Sequence, residues 1–482
     1  MDTIRNNSWV SLCILLFGVL ICNKLHHAIA ADKISLGDSL TGDERIVSSG
    51  DNFELGFFKP GNTSQNYYIG IWYSYNKVSV QTVVWVANRD TPILHPSSSV
   101  LTFLDGNLVL LNNLSKTPIW STNLALKTLN TPQVVLGDDG NLVLRDGSNP
   151  NVMYWQSFDY PTDTWLPGAK LGFNIKTNQN QKLISWRSPE VPAQGSYSLE
   201  LGGPSKTSQY AIYWNNSKEI WSSKDWDEKS KTFPSIREMR LDHNVNGSFF
   251  TYSVYNNSTT RFVIDFTGRI QQLRWSGSTN NWNLVWVQPQ NICDVYATCG
   301  PFGSCKQDIQ KCECMQGFAP RSPADESLQD SIGGCVRSTP LQCGNKDGFS
   351  PIQTPDLGKL PDKSHLIPEI DSAKECRSAC KANCHCNAYS FINRCLFWYG
   401  DIINFNNITS SPDALAVFYL KLAASEIHSP QAKRKPKMSL KVLLIIVVPT
   451  VITVLSIITI LYFCIIRRKK IDGNLFYTSF ID

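Results

Sequence analysis

The chain has 482 residues, of which 42% are hydrophobic and 18% charged, and this length corresponds to about three domains. With 25 Pro, 29 Gly and 14 Trp, it is neither a disordered polyampholyte nor a coiled coil. The net charge is +5, but nine basic residues stand against Asp472 and Asp482 in segment 431–482, so the bulk of the chain is slightly acidic. A nucleic-acid binder carries its basic groups on its folded domains, so we expect no nucleic-acid partner.

The first element in chain order is an apolar segment at residues 9–22, after Arg5. As a helix it would rise about 21 Å, which is short of the roughly 30 Å hydrocarbon core of a bilayer. Ala28 and Ala30 are small residues at the positions that a signal peptidase reads. An uncleaved anchor is the alternative interpretation. We interpret residues 1–30 as a cleaved signal peptide, with the mature chain beginning near Ala31.

The next part of the chain, 23–292, contains no cysteine and alternates apolar and polar residues in short stretches bounded by turn residues, which is typical of all-β domains. Within it, Trp85, Trp120 and Trp155 are spaced by 35 residues. Two similar runs precede the second and third Trp: Asp105-Gly106-Asn107-Leu108-Val109 and Asp139-Gly140-Asn141-Leu142-Val143. Asp-Gly and Gly-Asn supply the positive φ angles of tight hairpins. Three equal β units predict a pseudo-threefold prism in which each Trp is an apolar anchor where the units meet.

These runs resemble the mannose-binding repeat of bulb-type plant lectins, whose motif is Gln-x-Asp-x-Asn-x-Val-x-Tyr and whose fold is a β-prism of three four-stranded sheets. Six residues match the motif: Asp105, Asn107, Val109, Asp139, Asn141 and Val143. The Gln and Tyr positions are occupied by Phe103, Leu111, Gly137 and Arg145. Since the family's Gln, Asp, Asn and Tyr bind the sugar hydroxyls, half of the polar contacts are lost, at roughly 1 kcal/mol or more for each bond. The alternative is that the matching Asp and Asn residues only form turns.

A longer resemblance begins at Trp155, in the run 155–168, and continues in the run 195–200. Both runs resemble the S-locus glycoprotein family and the plant lectin-type receptor kinases that share its ectodomain. The resemblance implies a second lectin-like β domain over 156–290, whereas periodicity alone indicates only β-structure there. We therefore place a bulb-type lectin domain at 31–155 and the S-locus glycoprotein domain at 156–290.

Two clusters of cysteines follow, as expected for small modules that cannot bury enough core and that mature in an oxidising compartment. Spacing alone does not choose among the possible pairings. The first cluster, 291–336, resembles an EGF-like module through Cys299-Gly300-Pro301-Phe302-Gly303 and Cys312-x-Cys314. The resemblance implies the pairs Cys293–Cys305, Cys299–Cys312 and Cys314–Cys335. A zinc site is the alternative, but the cluster has no second Cys-x-x-Cys, so we expect no metal.

The second cluster lies in 343–423 and resembles a PAN/apple module, one helix packed on a small sheet. Ser372 and Glu375 form a candidate capping box, and Cys376 and Cys380 would share one face of the helix. The resemblance implies the pairs Cys376–Cys395 and Cys380–Cys386, and with them Cys343–Cys384. His385 is interpreted as a structural residue rather than a metal ligand.

Near the carboxyl end, residues 442–466 form an uncharged apolar run that would rise about 37 Å as a helix, enough to span a bilayer with some tilt. A buried core helix is the alternative. Basic residues flank the run on both sides, in the linker 424–441 and the tail 467–482, so the charges do not determine the orientation of the helix in the membrane. The signal peptide determines it instead. We predict a single-pass type I protein of the plasma membrane with its amino terminus outside. Seven Asn-x-Ser/Thr sequons support this orientation: Asn62, Asn113, Asn215, Asn246, Asn256, Asn257 and Asn407.

No catalytic motif is visible. The histidines beyond the signal peptide (His95, His243, His365, His385 and His428) belong to no recognisable triad, so we expect neither an enzyme nor a cofactor. Relatives of this architecture carry a protein kinase after the membrane span, whereas only twelve residues follow Lys470 here, so we expect no phosphoryl transfer by this chain.

The predicted fold class is mainly β: tandem β-prism lectin-like domains, then disulfide-rich EGF-like and PAN/apple (α+β) modules and one transmembrane helix. We interpret the chain as a receptor-like ectodomain for an extracellular peptide or glycan, acting as a co-receptor or decoy. The resemblance to the S-locus glycoprotein family implies a role in pollen recognition or defence, and homodimers or heterodimers with kinase-bearing relatives. A membrane-anchored mannose lectin and a non-functional truncated product of a receptor kinase gene are the alternatives.

Overall fold

The computed structural model describes most of the chain between Asp32 and Ile427. The described residues are 32–62, 64–112, 114–125, 131–175, 178–201, 209–223, 236–245, 247–255, 258–306, 308–321, 333–343, 346–354, 361–407 and 416–427. The helices in these ranges include no candidate for a membrane span. The predicted signal peptide, 1–30, and the predicted membrane span, 442–466, lie outside the described residues.

The first twelve strands form three four-stranded antiparallel sheets, in the orders β3-β4-β5-β6, β2-β7-β8-β9 and β1-β10-β11-β12. The strands are β1 (Lys33–Ser35), β2 (Ser39–Thr41), β3 (Arg45–Val47), β4 (Phe53–Phe58), β5 (Tyr68–Tyr73), β6 (Val83–Val86), β7 (Ser99–Leu104), β8 (Asn107–Asn112), β9 (Pro118–Ser121), β10 (Pro132–Leu136), β11 (Leu142–Asp146) and β12 (Met153–Gln156). Asp105 and Gly106 both have positive φ, at 48° and 75°, and close the β7–β8 hairpin as predicted.

The three sheets meet at a triangle of tryptophan side chains. The ring centroids of Trp85, Trp120 and Trp155 lie 5.8, 5.9 and 6.0 Å apart, and each pair is arranged edge to face. Each Trp occupies the last strand of its own sheet. The side of each sheet that faces the axis therefore buries one large aromatic ring against two others, which is the packing that the 35-residue spacing predicts.

Strands β13 to β24 form three further four-stranded sheets, in the orders β16-β17-β18-β19, β15-β14-β21-β20 and β13-β22-β23-β24. The strands are β13 (Thr164–Trp165), β14 (Leu171–Asn174), β15 (Gln179–Gln181), β16 (Leu183–Ser188), β17 (Val191–Leu201), β18 (Tyr210–Trp214), β19 (Lys218–Ser222), β20 (Ile236–Asn244), β21 (Gly247–Val254), β22 (Thr260–Ile264), β23 (Ile270–Ser276) and β24 (Asn281–Gln288). A second aromatic triangle lies in their core, where Trp165, Tyr252 and Phe262 have centroids 4.8 to 5.5 Å apart. The tandem β-prism architecture is thus present in the described residues.

The two prisms are joined by buried polar contacts rather than by a bare linker. Arg89, which follows β6, is 8% exposed and donates to the backbone carbonyls of Pro192, Ile184 and Ser185 in the second prism. In the opposite direction, Trp282 Nε1 donates to Thr82 Oγ1 at 2.9 Å. A charged group buried this fully must keep its hydrogen bonds, so separating the prisms would be costly.

The cysteine-rich half contains a three-stranded sheet in the order β26-β25-β33, a two-stranded sheet of β27 and β28, and a five-stranded sheet in the order β29-β34-β31-β32-β30. The strands are β25 (Gly303–Lys306), β26 (Lys311–Cys314), β27 (Phe318–Pro320), β28 (Cys335–Arg337), β29 (Asp347–Thr354), β30 (Ser364–Ile367), β31 (Cys386–Phe391), β32 (Cys395–Tyr399), β33 (Phe405–Asn407) and β34 (Ala416–Ala423). The helices are α1 (Ala373–Ala382) and α2 (Ala424–Ile427), and single 3₁₀ turns lie at Pro96–Ser98, Ser157–Asp159 and Ile292–Asp294.

The segment 291–336, predicted to be EGF-like and called the EGF-like part, shares one hydrophobic core with the PAN-like part. Strand β25 pairs in parallel with β33, about 100 residues further along the chain. Phe302 and Phe318 stack with centroids 4.4 Å apart and belong to the same buried cluster as Trp398 and Phe418. The sequence predicted two separate modules, because spacing of cysteines carries no information about a core that two modules build together.

Helix α1 begins as predicted, since Ser372 Oγ accepts a hydrogen bond from the Glu375 backbone N–H. It ends at Ala382, so Cys376 and Cys380 lie on its buried face, whereas Cys384 lies beyond the helix. The ammonium group of Lys421 closes this end of the helix by donating to the carbonyls of Cys380, Lys381 and Asn383 at 3.1 to 3.2 Å. A cation there complements both the carbonyls at the end of the helix and the helix dipole.

Candidate recognition sites

The register of the three sheets in the first prism shows which residues occupy equivalent positions. Ile71 pairs with Trp85, Leu110 with Trp120 and Leu144 with Trp155. Counting back three residues from each places Tyr68, Asn107 and Asn141 at the motif's Asn position. The first sheet thus has a third equivalent position, but Asn66, Tyr68, Gly70 and Trp72 stand there in place of the motif's Asp, Asn, Val and Tyr, so no motif residue is present.

Asn107 is engaged in hydrogen bonds within the prism. Its Oδ1 accepts from the Leu124 backbone N–H at 2.6 Å and from Thr122 Oγ1 at 2.9 Å. Its Nδ2 donates to the carbonyls of Asp105 and Leu124. The amide therefore holds the chain segment that follows β9 against the start of β8. A sugar hydroxyl would have to replace these bonds rather than add to them.

Asn141 is 8% exposed and holds the connection between the two prisms. Its Oδ1 accepts from the Phe158 backbone N–H and from Ser157 Oγ, and its Nδ2 donates to Gln156 Oε1 at 2.8 Å. Gln156 Nε2 in turn donates to Asp159 Oδ1 at 3.1 Å. Gln181 of the second prism donates to the same Asp159 oxygen at 2.7 Å.

This chain of hydrogen bonds gives Asp159 an unusual environment. Burial raises the pKa of its carboxyl group, while the hydrogen bonds from Gln156 and Gln181 act in the opposite direction. The motif residue Asn141 is thus the first member of a polar network that ends in the second prism. The hydrogen-bond network between the two prisms gives Asn141 a structural role that requires no bound sugar.

The remaining motif positions offer little to a sugar. Val109 and Leu111 are buried, at 4% and 9% exposure, and Phe103 packs against the core of the first prism. Asp139 Oδ1 accepts from the Asn141 backbone N–H, which is the turn-forming interaction considered in the sequence analysis. The structure therefore brings the six motif residues to equivalent places on two sheets but uses both motif Asn side chains, and Asp139, to hold turns and chain crossings.

A different candidate site lies where the second prism, the EGF-like part and the PAN-like part meet. It is a solvent-open groove of about 770 Å³ whose lining includes Trp214, Lys218, Tyr296, Asp362, Ser364 and Leu396. Its size is within the range of ligand-binding clefts. The three contributing regions are far apart in sequence, and no local motif marks them, so sequence reasoning could not have found this groove.

The walls of the groove are held in place by an aromatic and an ionic contact. Trp214 and Tyr296 meet edge to face with centroids 5.0 Å apart. Lys218 Nζ lies 3.5 Å from the Tyr296 ring centroid and 2.8 Å from Asp362 Oδ2. Burial and the hydrogen bond with Asp362 raise the pKa of the Tyr296 hydroxyl, so this group stays protonated. The groove thus offers an aromatic wall beside paired charges, an arrangement suited to a ligand with both apolar and polar groups.

Three protein families match successive parts of the chain. They are the D-mannose binding lectin family over residues 82–187, the S-locus glycoprotein domain over 206–322 and the PAN-like domain over 343–405. An S-locus-specific glycoprotein of Brassica oleracea var. alboglabra is 34% identical over 446 residues, which cover 86% of this chain and 97% of that protein. The chain belongs to the S-locus glycoprotein family.

The chain is also similar to receptor kinases. A G-type lectin S-receptor-like serine/threonine-protein kinase of Arabidopsis thaliana is 42% identical over 443 residues, which cover 88% of this chain and 52% of that protein. A second kinase of the same description and organism is 36% identical over 501 residues, covering 95% of this chain and 58% of the relative. The chain spans about half the length of the receptor kinases that it matches.

The chain contains six disulfides among its described residues, and each predicted pair is joined. They are Cys293–Cys305, Cys299–Cys312, Cys314–Cys335, Cys343–Cys384, Cys376–Cys395 and Cys380–Cys386. The sulfur atoms of Cys299, Cys305 and Cys312 come within 4.8 Å of one another. All three belong to disulfides, however, so they supply no thiolate for a metal.

Among the predicted glycosylation sites of this S-locus chain, the structure describes the side chains of Asn62 and Asn215, and both are exposed. Asn215 lies at the tip of the β18–β19 hairpin, directly after Trp214 at the rim of the groove. Asn407 lies in β33, and Asn113, Asn246, Asn256 and Asn257 lie outside the described residues.

Proposed function

We propose that this chain recognises an extracellular ligand as the ectodomain of an S-domain receptor at the plasma membrane, anchored by residues 442–466. It acts in pollen recognition or defence-related signalling, as a co-receptor or decoy beside kinase-bearing relatives. The ligand contacts the groove between the second prism and the PAN-like part.

The observation that carries the proposal is the use of Asn107 and Asn141 for internal hydrogen bonds, while the groove remains open to solvent. A mannose lectin needs its motif amides free for sugar hydroxyls. A receptor of this architecture needs only a rigid scaffold and an accessible recognition surface. The buried contacts of Arg89 between the prisms support such a rigid scaffold.

Membership of the S-locus glycoprotein family supports the same role. The matching glycoprotein of Brassica oleracea is similar to this chain over nearly its whole length, and the matching receptor kinases are similar over about half of theirs. The shared part is the part that contains the prisms and the PAN-like module. We therefore assign ligand recognition to this chain.

Co-expression with a kinase-bearing relative tests the proposal. The relative is first stimulated with a cell-wall extract that raises its autophosphorylation, and the measurement is then repeated in the presence of the full chain. We expect the chain to change the stimulated phosphorylation several-fold, upward for a co-receptor and downward for a decoy. An unchanged level at equal surface expression would refute the proposal.

A pair of variants locates the effect. Ser364→Trp places a bulky ring in the groove, and Lys374→Trp places the same ring on the exposed face of α1 in the same module. We expect the first variant to lose the effect on phosphorylation and the second to keep it. If both variants kept the effect on phosphorylation, the ligand would bind elsewhere.

A further inference from the structure

We infer that the Cys343–Cys384 bond is a site of reversible thiol–disulfide exchange with a dithiol reductant outside the cell. This inference is independent of the proposed function. It rests on the position of this one bond, which differs from the positions of the other five disulfides that the structure describes.

The Cys343–Cys384 bond is open to attack by a thiolate. Both of its cysteines are exposed. In the five other bonds at least one partner is nearly inaccessible, and nine of their ten cysteines are 0 to 5% exposed: Cys293, Cys299, Cys305, Cys312, Cys335, Cys376, Cys380, Cys386 and Cys395. Exchange requires an attacking thiolate to reach a sulfur atom, so exposed disulfides react first and buried ones persist.

Both ends of the bond remain in place when it opens. The backbone N–H of Cys343 donates to Asp347 Oδ2 at 2.9 Å, and Asp347 is 2% exposed. On the other side, the carbonyl of Asn383, next to Cys384, accepts from Lys421 Nζ at 3.1 Å. These buried anchors hold the two thiols near each other. The bond can therefore re-form without refolding of the module.

The two other disulfides of the PAN-like part stay intact during the reaction. Cys376–Cys395 and Cys380–Cys386 join α1 to β31 and β32, and all four of their cysteines are 0% exposed. Opening Cys343–Cys384 removes only the covalent link between the start of the PAN-like part and the end of α1. The structure thus separates one reactive bond from two protected ones within the same small module.

The chemistry balances with a dithiol as the reductant. One thiolate of the dithiol attacks a sulfur of the bond, forms a mixed disulfide and releases the other cysteine as a thiolate, which takes up a proton. The second thiol of the reductant, as its thiolate, then attacks the mixed disulfide and releases the remaining cysteine, which is protonated in turn. The protein gains two electrons and two protons, and the reductant becomes a disulfide.

Differential alkylation of the full chain tests the inference. Free thiols are first blocked with N-ethylmaleimide, the protein is exposed to graded dithiothreitol or to reduced thioredoxin, and new thiols are labelled with iodoacetamide and located by peptide mass spectrometry. We expect Cys343 and Cys384 to be labelled at a reductant concentration at least tenfold lower than any other pair. Simultaneous labelling of Cys376 and Cys395 would overturn the inference.

A double variant controls for general unfolding. Cys343→Ser with Cys384→Ser lacks the proposed site but retains the two buried bonds. We expect its remaining cysteines to stay as protected as those of the parent chain at the same reductant concentration. Loss of their protection would show that this bond holds the module together and is not an independent exchange site.

Discussion

Replacing Trp155 with alanine is expected to destabilise the first prism by about 3–5 kcal/mol, the usual cost of removing a buried aromatic side chain from a core. The ring of Trp155 contacts Trp85 and Trp120 at centroid distances of 6.0 and 5.9 Å and stacks on Tyr160 at 5.5 Å. Its loss opens the axis where all three sheets meet. Hydrogen exchange measured by mass spectrometry should show faster exchange in β5, β8 and β11 together.

Met153→Ala is the matched control, because Met153 belongs to the same strand and is 51% exposed. We expect its exchange pattern to equal that of the parent chain. If Trp155→Ala increased exchange only in its own sheet, the three sheets would not share a common axis and the prism account would be wrong.

Replacing Lys421 with methionine is expected to destabilise the PAN-like part by about 3 kcal/mol, the upper end of the cost of leaving buried polar groups without a partner. The methionine keeps most of the side-chain volume but removes the ammonium donor from the carbonyls of Cys380, Lys381 and Asn383. The Asn383 carbonyl still accepts from the Cys386 backbone N–H. Buried acceptors that lose a charged partner carry the full penalty of their desolvation. Hydrogen exchange in α1, measured at increasing temperature, reports the unfolding of the PAN-like part. We expect its apparent midpoint to fall.

Lys374→Met, at an exposed position on the same helix, controls for the change of residue type. It should leave exchange in α1 unaltered. A Lys421→Met variant as stable as the parent would mean that the helix end is stabilised by its disulfides alone and that the buried ammonium group contributes nothing.

Features that depend on nearby residues could be predicted from the sequence. The positive φ angles at Asp105 and Gly106, the cap at Ser372 and the triangle of Trp85, Trp120 and Trp155 follow from turn chemistry, capping rules and repeat spacing. The turn and the cap act within a hairpin and at a helix end, and the triangle follows from a regular repeat that brings equivalent residues to a common axis. Local sequence determines such features directly.

Features that depend on distant residues could not be predicted. The motif residue Asn141 acquires its role through Asp159 and Gln181, and Lys421 acquires its role through carbonyls about 40 residues earlier. The shared core of the EGF-like and PAN-like parts and the groove beside Trp214 also join segments that are far apart in the chain. Periodicity and spacing describe single elements, so they contain no information about which surfaces meet.

We propose that the mannose motif of the first prism has only a structural role and that ligand recognition occurs elsewhere. Titration of the full chain with soluble α-mannose and mannotriose tests this proposal most directly. We predict no saturable binding up to millimolar sugar, because the motif amides are already hydrogen-bonded within the protein. Saturable binding that Asn107→Ser or Asn141→Ser removes would contradict this account and favour a membrane-anchored lectin.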